Sequence, residues 1–324
     1  MLRKSELLKV SGIGKSGEAG FVLQDITFML DDFQKIAIAG ETGSGKSTLL
    51  KIIAGLVQPD SGTVHFINEL VKGPDAQLVP GHPSIAYLSQ HFDLQKFLRV
   101  EQVLEYANSI SAKEAATIYS VCRIDHLLKR KTDQLSGGEK QRIAIARLLI
   151  SKPKLLLLDE PYSNLDMVVK SILKSVINDI GKKLRITCML VSHDPDDTLS
   201  WADEIIVLKD GRVVQHGVPK VLYQQPANEY VAGLFGPFNI VSPNLLKFLC
   251  FTGYSNKVLV RPEHFRITRK REHRGWQITE VRFHGNTHEL TVKYRQYLIH
   301  VSTTRSDFKV GDWVSIALRL PGKK

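Results

Sequence analysis

The stretch Gly40-Glu41-Thr42-Gly43-Ser44-Gly45-Lys46-Ser47-Thr48 decides the fold that this sequence predicts. It matches the spacing G-x-x-x-x-G-K-[ST] of a phosphate-binding loop. Residues 35–39 before it have the composition of a short buried strand, and residues 49–56 after it have that of a helix. Because a strand, a glycine-rich loop and a helix in this order are the setting that the motif requires, we expect an α/β fold with a phosphate-binding P-loop.

Each residue type in this loop suits a phosphate ligand for its own reason. Glycines allow positive φ and a close approach of the backbone, so that successive N–H groups can surround an anion. The helix that follows adds the positive end of its dipole. Lys46 supplies a point charge for the β- and γ-phosphates, and Ser47 supplies a hydroxyl for Mg²⁺. A glycine-rich turn that binds nothing is the alternative, and the agreement of both flanks with the motif disfavours it. The predicted nucleotide-binding residues of the loop are Gly40, Glu41, Thr42, Gly43, Ser44, Gly45, Lys46, Ser47 and Thr48.

A second stretch predicts an anion site at the start of another helix. Ser136 and Glu139 have the S-x-x-E spacing of a capping box, with Gly137 and Gly138 between them. The free N–H groups of a helix start attract anions. One phosphate loop is enough to bind a nucleotide, so a second site suggests a composite one. Taken alone, the stretch is more commonly just a well-capped helix.

Two acids and a histidine follow apolar runs of the sequence. Asp159 and Glu160 come directly after four leucines, which are typical of a central parallel strand. Open α/β sheets place their ligands at the carboxyl ends of such strands, and adjacent acids buried there need a cation or water. We expect Asp159 to bind Mg²⁺, directly or through water, and Glu160 to polarise an attacking water. His193 follows a second apolar run, at residues 186–191, and is expected at the same edge.

Length and charge indicate two domains of different character. The chain has 324 residues, and strands with polar turns replace the α/β pattern after Pro237. Residues 237–324 hold 16 Lys and Arg against 6 Asp and Glu, whereas residues 1–236 hold 28 against 27. This basic tail indicates either a surface for nucleic acid or anionic lipid, or a β surface that charge keeps soluble. We predict an α/β nucleotide-binding domain at residues 1–236 and a small all-β barrel at residues 237–324.

No apolar run approaches the length of a membrane span, and the N-terminus lacks the apolar core of a signal peptide. We therefore expect a chain with no transmembrane segment of its own.

Together, these residues resemble the ATP-binding-cassette family of transport ATPases. The matching stretches, in chain order, are the Walker A motif at residues 40–48, the Q-loop at Gln90, the signature motif at residues 135–142, the Walker B motif and catalytic glutamate at residues 155–160, the D-loop at residues 163–166 and the switch histidine at His193. Residues 260–263 and 283–286 resemble the OB-like, TOBE-type accessory domain of prokaryotic importer ATPases. One departure is that the predicted loop at residues 11–20 has no aromatic residue to stack on adenine.

The resemblance implies a fold, a mechanism and a set of partners. It implies a helical subdomain at about residues 91–150, and ATP with Mg²⁺ as cofactors. Gln90 would join Ser47 and Asp159 as a metal ligand, while Glu160 and His193 would be catalytic. Two copies would pack head to tail, so that Ser136, Gly137 and Gly138 of one copy cover the ATP on the other.

The implied chain is an ATP hydrolase that works with transmembrane permease subunits at the cytoplasmic face of the membrane, and indirectly with a solute-binding protein. Phe92, Phe97 and Leu98 are candidates for the permease contact, with packing inside the helical subdomain as the alternative. A soluble cassette ATPase that acts on nucleic acid through the basic tail is the competing hypothesis. It predicts tight, salt-sensitive binding to nucleic acid.

Overall fold

The computed structural model describes residues 5–17, 20–90, 94–107, 110–251, 253–269 and 275–319. The chain divides into two compact units, Met1–Pro219 and Lys220–Lys324. Among the described residues, no helix combines the length and the apolar character that crossing a membrane would require.

Strands and helices alternate through most of the first unit. Its strands are β1 (Glu6–Gly17), β2 (Gly20–Asp31), β3 (Lys35–Ala39), β4 (Ser61–Phe66), β5 (Glu69–Leu70), β6 (Ile85–Leu88), β7 (Leu155–Asp159), β8 (Thr187–Val191), β9 (Glu204–Lys209) and β10 (Arg212–Gly217). Its helices are α1 (Lys46–Ile53), α2 (Val100–Glu105), α3 (Ala112–Cys122), α4 (Gly137–Leu149), α5 (Met167–Asp179) and α6 (Pro195–Leu199).

A six-stranded sheet in the order β10-β9-β3-β8-β7-β6 positions the candidate site. Its strands pair in parallel, except for the antiparallel pair β9 and β10. All five residues of β7 and all five of β8 are buried, as their apolar sequences predict. Because β3, β6, β7 and β8 run in the same direction, the residues that follow them meet at one edge of the sheet.

A second, antiparallel sheet in the order β2-β1-β4-β5 corrects one sequence prediction. Residues 11–17 belong to β1 and pair with β2, although the sequence analysis placed them in a loop. The register shifts between Val10 and Ile13 and again between Ile13 and Lys15, and Ile13 is buried in the core. These bulges let a polar, glycine-containing stretch remain paired, which alternation alone does not reveal.

Three helices, α2, α3 and α4, lie between β6 and β7, where the sequence analysis expects a helical subdomain. Capping boxes begin two of them. Ser111 accepts a hydrogen bond from the backbone of Glu114 at the start of α3, and Ser136 accepts one from Glu139 at the start of α4. Both bonds satisfy N–H groups that a helix start otherwise leaves free.

The second unit contains three short helices and seven strands among its described residues. They are α7 (Pro219–Gln224), α8 (Glu229–Leu234), β11 (Asn239–Val241), α9 (Pro243–Phe248), β12 (Val258–Val260), β13 (Phe265–Arg269), β14 (Trp276–Phe283), β15 (His288–Tyr294), β16 (Tyr297–Thr303) and β17 (Trp313–Leu318). Strands β11 and β12 pair with each other. The other five form an antiparallel sheet in the order β13-β17-β14-β15-β16, and its two edge strands lie in contact.

Arg261 bonds to the segment between Pro219, where the compact units divide, and the predicted boundary at residue 236. Its side chain is buried and donates hydrogen bonds to the carbonyl oxygens of Tyr223 (3.0 Å), Ala232 (2.9 Å) and Gly236 (2.8 Å). A buried guanidinium needs such acceptors, so it fixes α7 and α8 within the second unit.

Helix α9 adds an element to a region that the sequence analysis described as strands only. Ser242 accepts a hydrogen bond from the backbone N–H of Leu245, and Pro243 occupies the first turn. A serine followed by proline is a helix-start signal that was available in the sequence.

Candidate functional site

The phosphate loop joins β3 to α1, and close packing leaves no room for a side chain at two of its glycines, Gly40 and Gly45. Gly45 caps α1 with φ of 96°. A Cβ atom on Gly45 would lie 2.5 Å from the carbonyl oxygen of Val22, and one on Gly40 would lie 2.3 Å from that of Leu208. Neighbouring backbone would therefore have to move if either residue carried a side chain.

Lys46 begins α1 and is held inside this loop. Its ammonium donates hydrogen bonds to the carbonyl oxygens of Gly40 (2.8 Å) and Glu41 (2.6 Å). Burial lowers the pKa of Lys46, and the nearby carboxylates of Glu160 and Asp159 offset part of that effect. The loop thus places a cation next to the two acids that the sequence analysis assigns to Mg²⁺ and water.

Ser47 and Asp159 form the arrangement expected of a magnesium site. The Ser47 hydroxyl donates to Asp159 Oδ1 at 2.9 Å, and Asp159 is only 3% exposed. Among the described residues no group of three or more His, Cys, Asp and Glu side chains could hold a metal ion. A hydroxyl and one carboxylate nevertheless fit Mg²⁺ bound to a nucleotide, because Mg²⁺ takes most of its ligands from water and phosphate oxygens.

Tyr87 is a member of this group that the sequence analysis missed. It lies on β6, next to β7, and its hydroxyl donates to Asp159 Oδ2 at 2.8 Å. Burial raises the pKa of Tyr87, and the Asp159 carboxylate raises it further. The only signal in the sequence is a tyrosine within an apolar strand, and the identity of its partner depends on which strands are neighbours.

The Glu160 side chain contacts Gln90 and His193 beside the Ser47 and Asp159 pair. Glu160 Oε2 accepts a hydrogen bond from Gln90 Nε2 at 3.5 Å and lies 3.3 Å from His193 Nδ1. Gln90, which the resemblance assigns to the metal, thus lies against Glu160 in this structure. The backbone N–H of Glu160 bonds to the carbonyl oxygen of Val191, which joins the ends of β7 and β8 at 3.0 Å.

The second predicted anion site stands at the start of α4, where Ser136 and Gly137 are exposed. Ser136 bonds to Glu139 through both its hydroxyl and its backbone N–H, and these bonds hold the pKa of Glu139 below its usual range. A Cβ atom on Gly137 would meet no atom within 4 Å, whereas one on Gly138 would lie 2.1 Å from Val169 Cγ1. The first two residues thus face open space, and the third packs against α5.

Gln141 connects this helix to the acids and was not singled out from the sequence. Its buried side chain donates a hydrogen bond to the carbonyl oxygen of Pro161, the residue after Glu160. This bond therefore connects α4 to the segment that carries Glu160.

Comparisons with known proteins identify similar sequences and a similar fold. The profile of a family described as ABC transporter matches residues 23–163. The chain is 33% identical to the sulfate/thiosulfate import ATP-binding protein CysA of Synechocystis, over 76% of this chain and 72% of that protein. It is 30% identical to the spermidine/putrescine import ATP-binding protein PotA of Clostridium acetobutylicum, over 97% of this chain and 95% of that protein. The ATP-binding cassette MJ0796, solved as a dimer with ADP and Pi, aligns with a TM-score of 0.57 at 26% identity, over 66% of this chain and 99% of that one.

Proposed function

We propose a role for each site residue on the premise that the chain belongs to the ABC transporter family. Within that family it is an ATP-hydrolysing subunit of an import system. The observation that carries the proposal is the meeting of two groups at one sheet edge. Ser47 and Asp159 are hydrogen-bonded there, and Glu160 lies against both Gln90 and His193.

We assign nucleotide binding to the loop at residues 40–48. Its backbone N–H groups and the Lys46 ammonium hold the β- and γ-phosphates. Ser47 and Asp159 hold Mg²⁺, with the Tyr87 hydroxyl fixing the second oxygen of Asp159. When bound, Mg²⁺ neutralises charge that develops on the phosphates.

Hydrolysis is assigned to Glu160 and His193. The Glu160 carboxylate orients the attacking water, and His193 contacts the γ-phosphate or that water. Gln90 senses the γ-phosphate through its contact with Glu160. In this structure that contact is the 3.5 Å hydrogen bond between the two side chains.

A second ATPase subunit completes the site, and we propose that it is a second copy of this chain. Exposed Ser136 and Gly137, with open space in front of them, suit a ligand brought by another molecule. Ser136, Gly137 and Gly138 of one copy would cover the ATP bound to the loop of the other. The dimeric assembly of the similar cassette MJ0796 supports this arrangement.

The family suggests permease subunits and a binding protein as further partners, and one exposed residue is a candidate for the permease contact. We propose that the chain is a peripheral subunit on the cytoplasmic face of the membrane, paired with permease subunits that take solute from a binding protein. Phe97 is 71% exposed with a φ of 65°, and Leu98 is half-buried, so Phe97 is the better candidate for a permease contact. Phe92 lies outside the described residues. The similar proteins are named as import ATP-binding proteins, and none of those names favours the nucleic-acid hypothesis.

Two measurements on the purified full chain test the proposal. Calorimetry should show ATP binding that requires Mg²⁺, and phosphate release should accompany it. Affinity purification from detergent-solubilised membranes of the native cells should recover permease subunits. A chain that binds no ATP, or that enriches nucleic acid in place of membrane proteins, would contradict the proposed function.

A further inference from the structure

Two lysines of α5 and two aspartates near His193 form a cluster of ion pairs. Lys170 pairs with Asp194 and, at 2.8 Å, with Asp197 Oδ1. Lys174 pairs with the same Asp197 oxygen at 2.7 Å. None of these four residues belongs to the motifs that the sequence analysis singled out.

Burial shows that these ion pairs differ from ordinary surface pairs. Asp197 is only 2% exposed, and its second oxygen, Oδ2, accepts a hydrogen bond from the Ser192 hydroxyl at 3.0 Å. A buried carboxylate without such partners would be strongly destabilising. Burial alone would lower the pKa of Lys170, but the bonds to Asp194 and Asp197 outweigh it and raise that pKa.

The cluster fixes the residues on both sides of His193. Ser192 precedes the histidine, and its hydroxyl bonds to Asp197 while accepting the backbone N–H of Asp194 at 3.1 Å. Asp194 follows the histidine, and its carboxylate bonds to Lys170 and to the backbone N–H of Asp196. His193 therefore stands on a short loop that is held at both ends.

Lys170 connects this loop to the chain segment that leaves Glu160. It lies in the first turn of α5, where its backbone N–H bonds to the carbonyl oxygen of Asp166 at 2.9 Å. Asp166 begins that helix by accepting hydrogen bonds from Val168 and Val169. Only residues 161–165 separate Asp166 from Glu160.

We propose that Lys170 is a positioning residue for ATP hydrolysis, because its bridge from α5 to Asp194 and Asp197 holds the His193 ring at the Glu160 carboxylate. The inference rests on the proposed roles of Glu160 and His193. Its own content is that Lys170 acts on hydrolysis through His193.

Lys174 provides a matched control in the same helix. It pairs with the same oxygen of Asp197 and bonds to the carbonyl oxygen of Asp196, one turn further along α5. Removing the Lys174 charge leaves the link from Lys170 to Asp194 in place. This variant therefore measures how much turnover is lost when the buried cluster is weakened in general. A specific role for Lys170 predicts different outcomes for the two lysines.

The test measures kcat, KM for ATP and melting temperature for Lys170→Met, Lys170→Arg, Lys174→Met and the parent. We expect kcat of Lys170→Met to fall about 10- to 100-fold with KM little changed, because a misplacement on the order of 1 Å can cost about 100-fold. Lys170→Arg keeps the charge and should recover most of kcat. Lys174→Met should keep kcat within about twofold of the parent.

A second pair of variants asks whether Lys170 acts through the histidine. In a His193→Ala background, Lys170→Met should lower kcat no further, because the group that it positions is gone. Asp194→Asn keeps the helix cap and loses the charge, so it should reproduce the Lys170→Met loss even if Lys170→Met folds poorly. Equal losses in Lys170→Met and Lys174→Met, or losses that multiply with His193→Ala, would overturn this inference alone. A parent chain without ATP hydrolysis would overturn the proposed function together with it.

Discussion

Glu160 stands where the chain leaves β7, and its backbone turns there with a φ of 47°. A residue other than glycine in this region costs about 1–3 kcal/mol, so the surrounding structure must hold it. Its N–H bonds to Val191 and its carbonyl oxygen accepts the Ser163 hydroxyl at 2.9 Å. The turn sets the carboxylate against Gln90 and His193, where the proposed water is oriented.

Changing Glu160 to Gln should stop turnover while leaving ATP binding intact. The side chain keeps its shape and loses the charge that activates water, and a loss of about a thousandfold corresponds to roughly 4 kcal/mol of barrier. Phosphate release and calorimetry on the same preparation measure the two effects. Turnover near the parental rate would remove Glu160 from the catalytic role.

Changing Tyr87 to Phe should weaken the binding of Mg²⁺ at Asp159. One oxygen of the buried Asp159 carboxylate loses its donor, and loss of a partner that orients a metal ligand typically weakens metal binding about 10- to 100-fold. The Mg²⁺ concentration that gives half-maximal ATP binding measures this. Tyr223→Phe is the matched control, because it removes a similar bond to Glu263 in the second unit. An identical Mg²⁺ dependence in both variants would contradict a role for Tyr87.

At the scale of elements, the packing of α4 on α5 depends on Gly138. Gly138→Ala should lower the melting temperature, because the new methyl would overlap Val169 and overpacking costs about 1–3 kcal/mol. Gly137→Ala meets open space in the same helical turn, so it serves as the control and shares any gain in helix propensity. Thermal unfolding without nucleotide measures the difference. Equal melting temperatures would mean that α4 and α5 do not pack as closely as this structure has them.

Elements that local sequence determines were predictable, and contacts between distant elements were not. Patterns within a few residues predict the strand, loop and helix around Lys46, the capping box at Ser136 and the two acids after the leucines of β7. Residues 11–17 of β1 were placed in a loop because bulges let polar residues pair. Tyr87, Gln141 and Lys170 were missed because their partners are set by strand order and helix packing.

At the scale of the whole molecule, we infer two half-sites in one chain, the phosphate loop and the start of α4. The phosphate loop, Asp159, Glu160 and His193 meet at the sheet edge, whereas the Ser136 side chain accepts a hydrogen bond from Glu139 of its own helix. The similarity to PotA extends over 97% of the chain, so the basic second unit is part of that likeness. We therefore infer that the complete ATP site is a property of two copies, and that one copy binds ATP without hydrolysing it efficiently.

The molar mass of Ser136→Arg in a Glu160→Gln background, with and without ATP, tests this inference most directly. Glu160→Gln alone should form dimers when ATP is added, because the nucleotide that joins the copies persists. Adding Ser136→Arg should leave ATP binding intact and keep the chain monomeric, since the new side chain crowds the γ-phosphate of the partner copy. Ser111→Arg is the control, because Ser111 is an exposed capping serine of the same kind at the start of α3, and its dimers should form normally. ATP-dependent dimers of the Ser136→Arg chain at the level of Glu160→Gln alone would contradict the composite site.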